Sequence, residues 1–307
     1  MLASFAVGPG ALDNTRATSP NAFDSGVGCL NDLCQAEGVF LDMRDGAWGL
    51  ALERTSHTAR EFWAFAQGRR RLIRVAPALP SEPDNDEEWL WEAQAVHPNH
   101  PCRAIIAHDG LATQYGDTPV VVSIERLNSA AWWRERSPSM EVPRSTSAYL
   151  KALGLVLRHA NLLMFIDANI DPCARNYDEF PQLLLAAGTS HSRPSVQIHR
   201  ASWRRRRGEN VVQPLAHWVE DFAAWGHRLA RAGRRADVFL WEDVHDRYLV
   251  SDMVAINLPY GFDVGRGSAP PTTWSRLGRK DQERLQREYE PGCRLRRFVN
   301  QFSIGAE

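Results

Sequence analysis

The residue types with the clearest chemical meaning stand together in the stretch HDRYLVSD, at positions 245–252. His245 and Arg247 are two residues apart, and side chains at that spacing on a β-strand point to the same face. A phosphate over that face would meet an imidazole nucleophile and a cation that neutralises charge on its oxygens. Asp252 follows as a carboxylate that could orient the imidazole. The stretch predicts catalytic roles for His245, Arg247 and Asp252, with a plain ion pair to Asp243 or Asp252 as the alternative.

A run of arginines lies upstream of this stretch, at Arg204, Arg205, Arg206 and Arg207. Clustered arginines predict binding to the phosphates of nucleic acid or anionic lipid, with release of counterions. A solvated loop is the other interpretation of the same run. Trp203 stands beside it and could stack on a base or serve only in packing.

No metal or other cofactor is expected. The segment HPNHPC offers His97, His100 and Cys102, but it lacks a fourth ligand at the spacing that zinc sites use. The five cysteines form neither a disulfide framework nor a zinc array, which favours a reduced, cytoplasmic protein. No apolar run approaches the ~18–20 residues that span a bilayer, so no transmembrane segment is expected.

The elements that must position these residues differ between the two halves of the chain. Residues 1–27 are rich in Gly, Ala, Ser, Pro and Asn and predict a flexible lead-in. Mixed helix and strand patterns over 28–140 predict an α+β domain of unknown function. Strands and helices alternate over 147–307, as in an α/β domain with a mainly parallel sheet.

Several elements of the second half have strong patterns. A buried strand over LLMFIDAN ends near Asp167 and Asp171, which predict either a ligand site or the cap of a turn. The longest helix is expected over about 212–232, with a continuous apolar stripe. DVFLWEDV, HDRYLVSD and MVAINL are expected to be three neighbouring strands.

Charge is divided unevenly although the net charge of the chain is only −1. Residues 1–146 hold 13 basic and 19 acidic side chains, whereas residues 147–307 hold 23 basic and 18 acidic ones. The positive second half favours a phosphate ligand, and the acidic first half is a candidate surface for a protein partner.

The spacing His-x-basic-x4-Asp at 245–252 resembles the motif of the phospholipase D superfamily, with Arg247 where that family has lysine. Together with FIDANIDP, GFDVG and the closing segment TTWSRLGRKDQERLQREYEP, it makes residues 160–307 similar to a single phospholipase D-like domain. The resemblance is greatest to the type found at the C-terminus of MIT-domain proteins and in bacterial relatives. It implies a mixed sheet flanked by helices. Active members need two motifs at one site and this sequence has one, so the resemblance implies either a homodimer that brings two copies together or a module that binds acidic membrane lipid without catalysis.

Two functions follow from this resemblance. The first is a phosphate-recognising bacterial protein that acts as a phosphodiesterase or nuclease, as a dimer through His245, on nucleic acid or another phosphate ligand. The second is a catalytically inactive binding or regulatory subunit of a bacterial multi-protein system, for example a defence system. The exchange of lysine for Arg247 weighs against the first, because arginine is a wide planar fork in a site built for a compact ammonium group.

Overall fold

The computed structural model describes residues 1–116, 120–189, 192–206, 208–265 and 269–306. The chain divides into two compact units, the first spanning Leu2–Ser137 and the second beginning at Pro138. No helix in the described ranges is both long enough and apolar enough to cross a bilayer.

The N-terminal unit is built on a parallel sheet. Its described strands are β1 (Ala3–Val7), β2 (Gly38–Met43), β3 (Leu72–Val75), β4 (Cys102–Ala107) and β5 (Val121–Ser123). Its helices are α1 (Pro20–Ala36), α2 (Ala47–Thr55), α3 (His57–Gly68), α4 (Asp86–Val96), α5 (Asp109–Gln114) and α6 (Ala131–Arg134). The strands run parallel in the order β3-β2-β1-β4-β5. This is an α/β arrangement, in place of the α+β domain expected from the sequence.

The expected flexible lead-in at 1–27 is wrong. Strand β1 is the central strand of the sheet, paired on both sides, and Phe5 is completely buried. Helix α1 begins at Pro20, where the Ser19 hydroxyl accepts a hydrogen bond from the amide of Ala22. A strand covered on both faces shows no alternation of polar and apolar residues, so the short run ASFAV carries little of the usual strand signal.

The C-terminal unit contains a mixed sheet flanked by helices, which confirms the α/β class expected from the sequence. The sheet is not mainly parallel as the alternation of elements predicts, because most of its described strand pairs are antiparallel. Its described strands are β6 (Ser139–Val142), β7 (Leu162–Asp167), β8 (Ser195–Ala201), β9 (Trp203–Arg206), β10 (Glu209–Val212), β11 (Arg235–Trp241), β12 (Arg247–Ser251), β13 (Ala255–Asn257), β14 (Thr272–Arg276) and β15 (Phe298–Gly305). Its helices are α7 (Thr146–His159), α8 (Pro181–Leu185), α9 (Leu215–Arg231) and α10 (Arg279–Glu288). Eight of these strands form the sheet, in the order β15-β11-β8-β7-β12-β13-β14-β6.

Strand direction in this sheet decides which residues can meet. Strands β7, β8 and β11 are parallel, so their carboxyl ends lie at one edge. Strand β12 runs antiparallel to β7 and therefore begins at that same edge, with Arg247 opposite Asp167. Ligand sites of open sheets with parallel strands lie outside the carboxyl ends of those strands.

Strands β9 and β10 form a separate antiparallel hairpin between β8 and α9. The arginine run therefore begins on a strand, and the alternative interpretation of it as a solvated loop does not hold for Arg204 and Arg205. Helix α9 follows, and Trp218, Phe222, Trp225 and Leu229 of its predicted apolar stripe are buried.

Candidate functional site

A cleft of about 380 Å³ opens beside the carboxyl ends of β7 and β8. Asp171 and Tyr177 line it from the segment after β7, and Arg200 lines it from β8 itself. The hairpin strand β9 contributes further lining side chains: Trp203, Arg204 and Arg205. Polar and aromatic groups from three segments thus converge on one concave site.

Arg200 lies at the cleft and is completely buried. Its guanidinium donates hydrogen bonds to the carbonyls of Ala201 (2.8 Å), Trp203 (3.1 Å) and Ile170. It also lies 3.5 Å from the ring centre of Trp218. Burial lowers the pKa of Arg200 to about 9, because the charged form loses its hydration. Among the described residues, no carboxylate forms an ion pair with this buried cation.

Sequence reasoning misses Arg200 because its neighbours suggest an ordinary buried strand. The available signal is its place next to the last residue of β8, at the edge where a parallel sheet holds its ligands.

Arg204 is held by two carboxylates. Its Nε lies 2.6 Å from Asp171 Oδ2 and its Nη2 lies 2.8 Å from both Asp171 Oδ1 and Asp221 Oδ2. The guanidinium also packs over the ring of Trp218, at 4.3 Å. A bidentate ion pair of this kind fixes the guanidinium, so Arg204 positions the hairpin and is not available as a free cation for a ligand.

The rest of the arginine run is divided. Arg205 is exposed and lines the cleft, and no carboxylate pairs with it in the part of the chain that the structure describes. Arg206 ends strand β9, but its side chain is not described, and Arg207 lies outside the described residues.

His245 lies in the loop between β11 and β12, exposed to solvent. Its ring centre is 6.3 Å from that of Trp203, with an angle of 38° between the planes. Trp203 is anchored by a hydrogen bond of 3.1 Å from its Nε1 to the carbonyl of Glu242. Within the described ranges, no carboxylate bonds to the imidazole of His245. The ring therefore lies beside a cleft-lining aromatic and is free to contact a ligand.

Arg247 is the first residue of β12, so His245 precedes the strand and the same-face relation expected from the sequence does not apply. The Nη1 of Arg247 donates to the carbonyl of Pro259 at 2.7 Å, and its Nε lies 3.6 Å from Asp167 Oδ1. Asp167 is completely buried and also accepts a hydrogen bond of 2.8 Å from the Tyr177 hydroxyl. Burial raises the pKa of Asp167, against the opposing effect of Arg247 and the hydrogen bonds. Arg247 therefore has a structural role at this edge of the sheet, where it binds the buried Asp167 and the carbonyl of Pro259.

Asp252 does not lie at this site. It follows the last residue of β12, five positions after Arg247, which corresponds to roughly 17 Å along an extended strand. Its carboxylate accepts hydrogen bonds from the amide (2.9 Å) and the side chain (3.0 Å) of Asn161, just before β7. The expected role of orienting the His245 imidazole is therefore wrong, because β12 carries the two residues to opposite edges of the sheet.

Metal-binding residues do not converge within the described residues, where no group of three or more His, Cys, Asp or Glu side chains could hold an ion. In the HPNHPC segment, His97 Nδ1 instead accepts a hydrogen bond of 3.1 Å from the amide of Cys102.

Comparison with known proteins gives distant structural likenesses. No family model and no curated protein matches the sequence. The structure is similar to polyphosphate kinase from Porphyromonas gingivalis, with 15% identity and a TM-score of 0.35, over 78% of this chain and 36% of that chain. It is also similar to TrmBL2, an archaeal chromatin protein described as showing a novel mode of DNA binding. That match has 10% identity and a TM-score of 0.30, over 78% of this chain and 83% of the other. The chain thus spans about a third of the polyphosphate kinase.

Proposed function

We propose that the C-terminal unit is a phospholipase D-like module that recognises phosphate, and that its cleft binds nucleic acid or another phosphate ligand. The observation that carries this proposal is Arg200, a completely buried cation at the cleft without a carboxylate partner among the described residues. A buried charge is costly unless an opposite charge lies near it. An anion in the cleft would supply that charge.

The groups around Arg200 strengthen the preference for an anion. Asp171 lines the cleft and Asp221 approaches it, and both already pair with Arg204. The charge of Asp167 also reaches Arg200, but that carboxylate is engaged by Arg247. Arg205 adds a further guanidinium at the surface of the cleft. The cleft therefore presents more positive than negative charge to a ligand, and phosphate is the anion that arginine forks bind well.

The aromatic rings favour a nucleic acid over a bare phosphate. Trp203 lines the cleft with its ring fixed by Glu242, and the His245 ring lies beside it. Proteins that bind single strands combine cations along the backbone with aromatic side chains on which bases stack. A single-stranded nucleic acid offers both partners at once.

The test is binding of a fluorescein-labelled single-stranded oligonucleotide, followed by fluorescence anisotropy at several salt concentrations. Arg205→Gln should weaken binding and reduce the slope of log K against log salt by about one phosphate contact. Trp203→Ala should cost about 1–3 kcal/mol, the value of one stacked base.

Arg158→Gln is the matched control, since Arg158 is an exposed arginine of α7 and its guanidinium, among the residues that the structure describes, bonds only to the carbonyl of Gly154 in its own helix. Equal losses in this control, or an unchanged salt slope in Arg205→Gln, would show that the cleft is not the binding site.

A second candidate function is phosphodiester hydrolysis by a homodimer, with the His245 imidazoles of two copies meeting at one site. It is favoured by the exposed imidazole of His245, which no carboxylate holds in the described part of the chain. One neutral imidazole would attack phosphorus and displace an alkoxide, which takes a proton from the second histidine in its imidazolium form and leaves as the alcohol. The second imidazole is then neutral and can accept a proton from water. Water would then hydrolyse the phosphohistidine. The inactive binding or regulatory subunit remains the alternative, supported by the engagement of Arg247 with Asp167.

A further inference from the structure

A second cavity, of about 220 Å³, lies at the other edge of the C-terminal sheet. It is lined by Arg193 and Pro194 just before β8, and by Gly233, Arg234 and Arg235 where β11 begins. The phosphate cleft lies beyond the far end of β8, seven residues or about 23 Å away. The two cavities are therefore separate sites.

Among the described residues, the lining of this cavity contains three arginines and no acidic side chain. Arg235 is already engaged, because its Nη2 lies 3.2 Å from Asp237 Oδ1 and donates to the Ser303 hydroxyl at 2.8 Å. Arg193 and Arg234 have no carboxylate partner in the described ranges of the chain. Two guanidinium groups thus share a small cavity, and the described residues supply no counter-charge to either of them.

Two glycines lie next to these side chains. Gly188 and Gly233 both have left-handed backbones, with φ of +76° and +63°. A Cβ on Gly188 would lie 3.1 Å from Nη1 of Arg234, and one on Gly233 would lie 4.0 Å from Nη2 of Arg193. Each guanidinium therefore lies beside one of these glycines, although a Cβ at Gly188 would first meet the carbonyl of Ser192 at 2.3 Å.

We propose that this cavity binds the phosphate group of a small molecule, either inorganic phosphate or a phosphomonoester. Two free guanidinium groups provide paired N–H donors and the charge that a phosphate dianion requires. The cavity is smaller than the ~300–1,000 Å³ of sites for drug-sized ligands, which favours a compact anion. Apolar side chains of Leu184 and Val196 complete the lining and would contact the carbon part of a phosphomonoester.

A purely structural explanation of these arginines makes a different prediction. Helix α9 ends at Arg231, close to Gly233 and Arg234, and cations near a helix C-terminus are stabilised by its dipole. On that explanation, replacing Arg234 would lower the melting temperature by the same amount with and without phosphate. On our proposal, the variant loses the part of the stability that phosphate adds.

The experiment is calorimetric titration of the full chain with sodium phosphate at constant ionic strength, together with thermal unfolding at each phosphate concentration. Arg193→Gln and Arg234→Gln should each weaken phosphate binding at least tenfold and remove most of the phosphate-dependent rise in melting temperature. Arg231→Gln is the matched control from the end of α9 and should leave both unchanged. A parallel titration with adenosine monophosphate distinguishes the sources, since tighter binding than phosphate identifies a phosphomonoester.

The Arg205→Gln chain separates this site from the cleft. It should retain the phosphate affinity that Arg193→Gln and Arg234→Gln lose, whether or not the cleft binds nucleic acid. Absence of binding by both probes, equal losses in Arg231→Gln, or melting-temperature shifts independent of phosphate would each overturn the proposal.

Discussion

His199 on β8 is a buried imidazole held in its neutral form. Its Nδ1 accepts a hydrogen bond of 3.2 Å from Trp241 Nε1, so its Nε2 carries the proton that faces Gln197 Oε1 at 3.0 Å. The ring stacks on Phe239 with centres 4.7 Å apart. Burial lowers the pKa of His199 to about 3, because an imidazolium there would lose its hydration without gaining an anion.

This histidine should make the stability of the C-terminal unit fall in mild acid. The imidazole has a pKa of about 6.5 in the unfolded chain. Below that pH the unfolded chain therefore binds a proton that the folded chain does not bind. The free energy of unfolding is not reduced by this histidine above about pH 6.5. As the pH falls from there towards 3, it decreases by about 1.4 kcal/mol per pH unit. Urea unfolding at pH 7.5 and pH 5 should show a smaller difference for His199→Gln than for the wild type.

His227→Gln provides the control, because His227 is an exposed histidine of α9. It should keep the full difference between the two pH values. If His199→Gln keeps that difference as well, acid sensitivity arises from other groups.

The candidate site shows how far residue types can be used to predict chemistry. The sequence singles out His245 and Arg205, and both side chains are exposed in the structure. His245 lies near the ring of Trp203, and Arg205 lines the same cleft as Trp203. The sequence motif also groups Asp252 with His245, although the structure separates the two residues. Spacing along the chain does not reveal where strand β12 begins. Arg200 could not be found, because its importance comes from burial and from the absence of a partner.

At the scale of elements, Glu92 of α4 joins separate parts of the N-terminal unit. It is completely buried and accepts hydrogen bonds from the amides of Ala78 (2.6 Å) and Leu79 (3.2 Å), which belong to the segment between β3 and α4. Its charge is met by Nη1 of Arg44, at 3.0 Å, from the turn that follows β2. This ion pair therefore fixes two loops at the carboxyl edge of the sheet.

Arg44→Ala should destabilise the N-terminal unit by about 3–5 kcal/mol, because it leaves the Glu92 carboxylate buried and unpaired. Denaturant unfolding followed by circular dichroism measures the loss. Arg74→Ala serves for comparison, since that side chain is 72% exposed and lies 4.0 Å from Asp42. Its effect should stay within about 0.5 kcal/mol. A loss below about 1 kcal/mol in Arg44→Ala would mean that water or rearrangement compensates Glu92.

Helices and strands whose apolar residues recur at a regular spacing could be predicted from the sequence, and those without such a spacing could not. The apolar stripe of α9 and the buried runs of β7 and β11 follow the patterns of an amphipathic helix and of covered strands. Strand β1 is too short and too uniformly apolar to show a period. Strand β9 consists of Trp203 and arginines, and its strand conformation depends on pairing with β10 rather than on its own residues.

At the scale of the whole molecule, the division of charge follows the division into units. The two halves hold nearly equal numbers of acidic side chains, 19 and 18, but 13 and 23 basic ones, so the difference in charge comes from the basic residues. The arginines at both proposed phosphate sites belong to the C-terminal unit. The acidic half as a surface for a protein partner stays a prediction. A partner surface on the N-terminal unit would share no residue with the cleft of the C-terminal unit. Mutations should therefore be able to abolish partner binding without abolishing phosphate binding, and the reverse.

Hydrolysis by the two-histidine reaction requires a dimer, because each chain supplies one His245 and the reaction needs two of these imidazoles. Light scattering over a range of concentrations should show a dimer if the chain is a phosphodiesterase. His245→Ala should then reduce hydrolysis of a phosphodiester at least about a hundredfold, while thermal unfolding changes little because His245 is exposed. His227→Ala, which removes another exposed imidazole, should hydrolyse at the wild-type rate. A monomer that hydrolyses, or a His245→Ala chain as fast as the wild type, contradicts the two-histidine mechanism. A chain that binds oligonucleotide without hydrolysing it, whether monomer or dimer, supports the binding subunit.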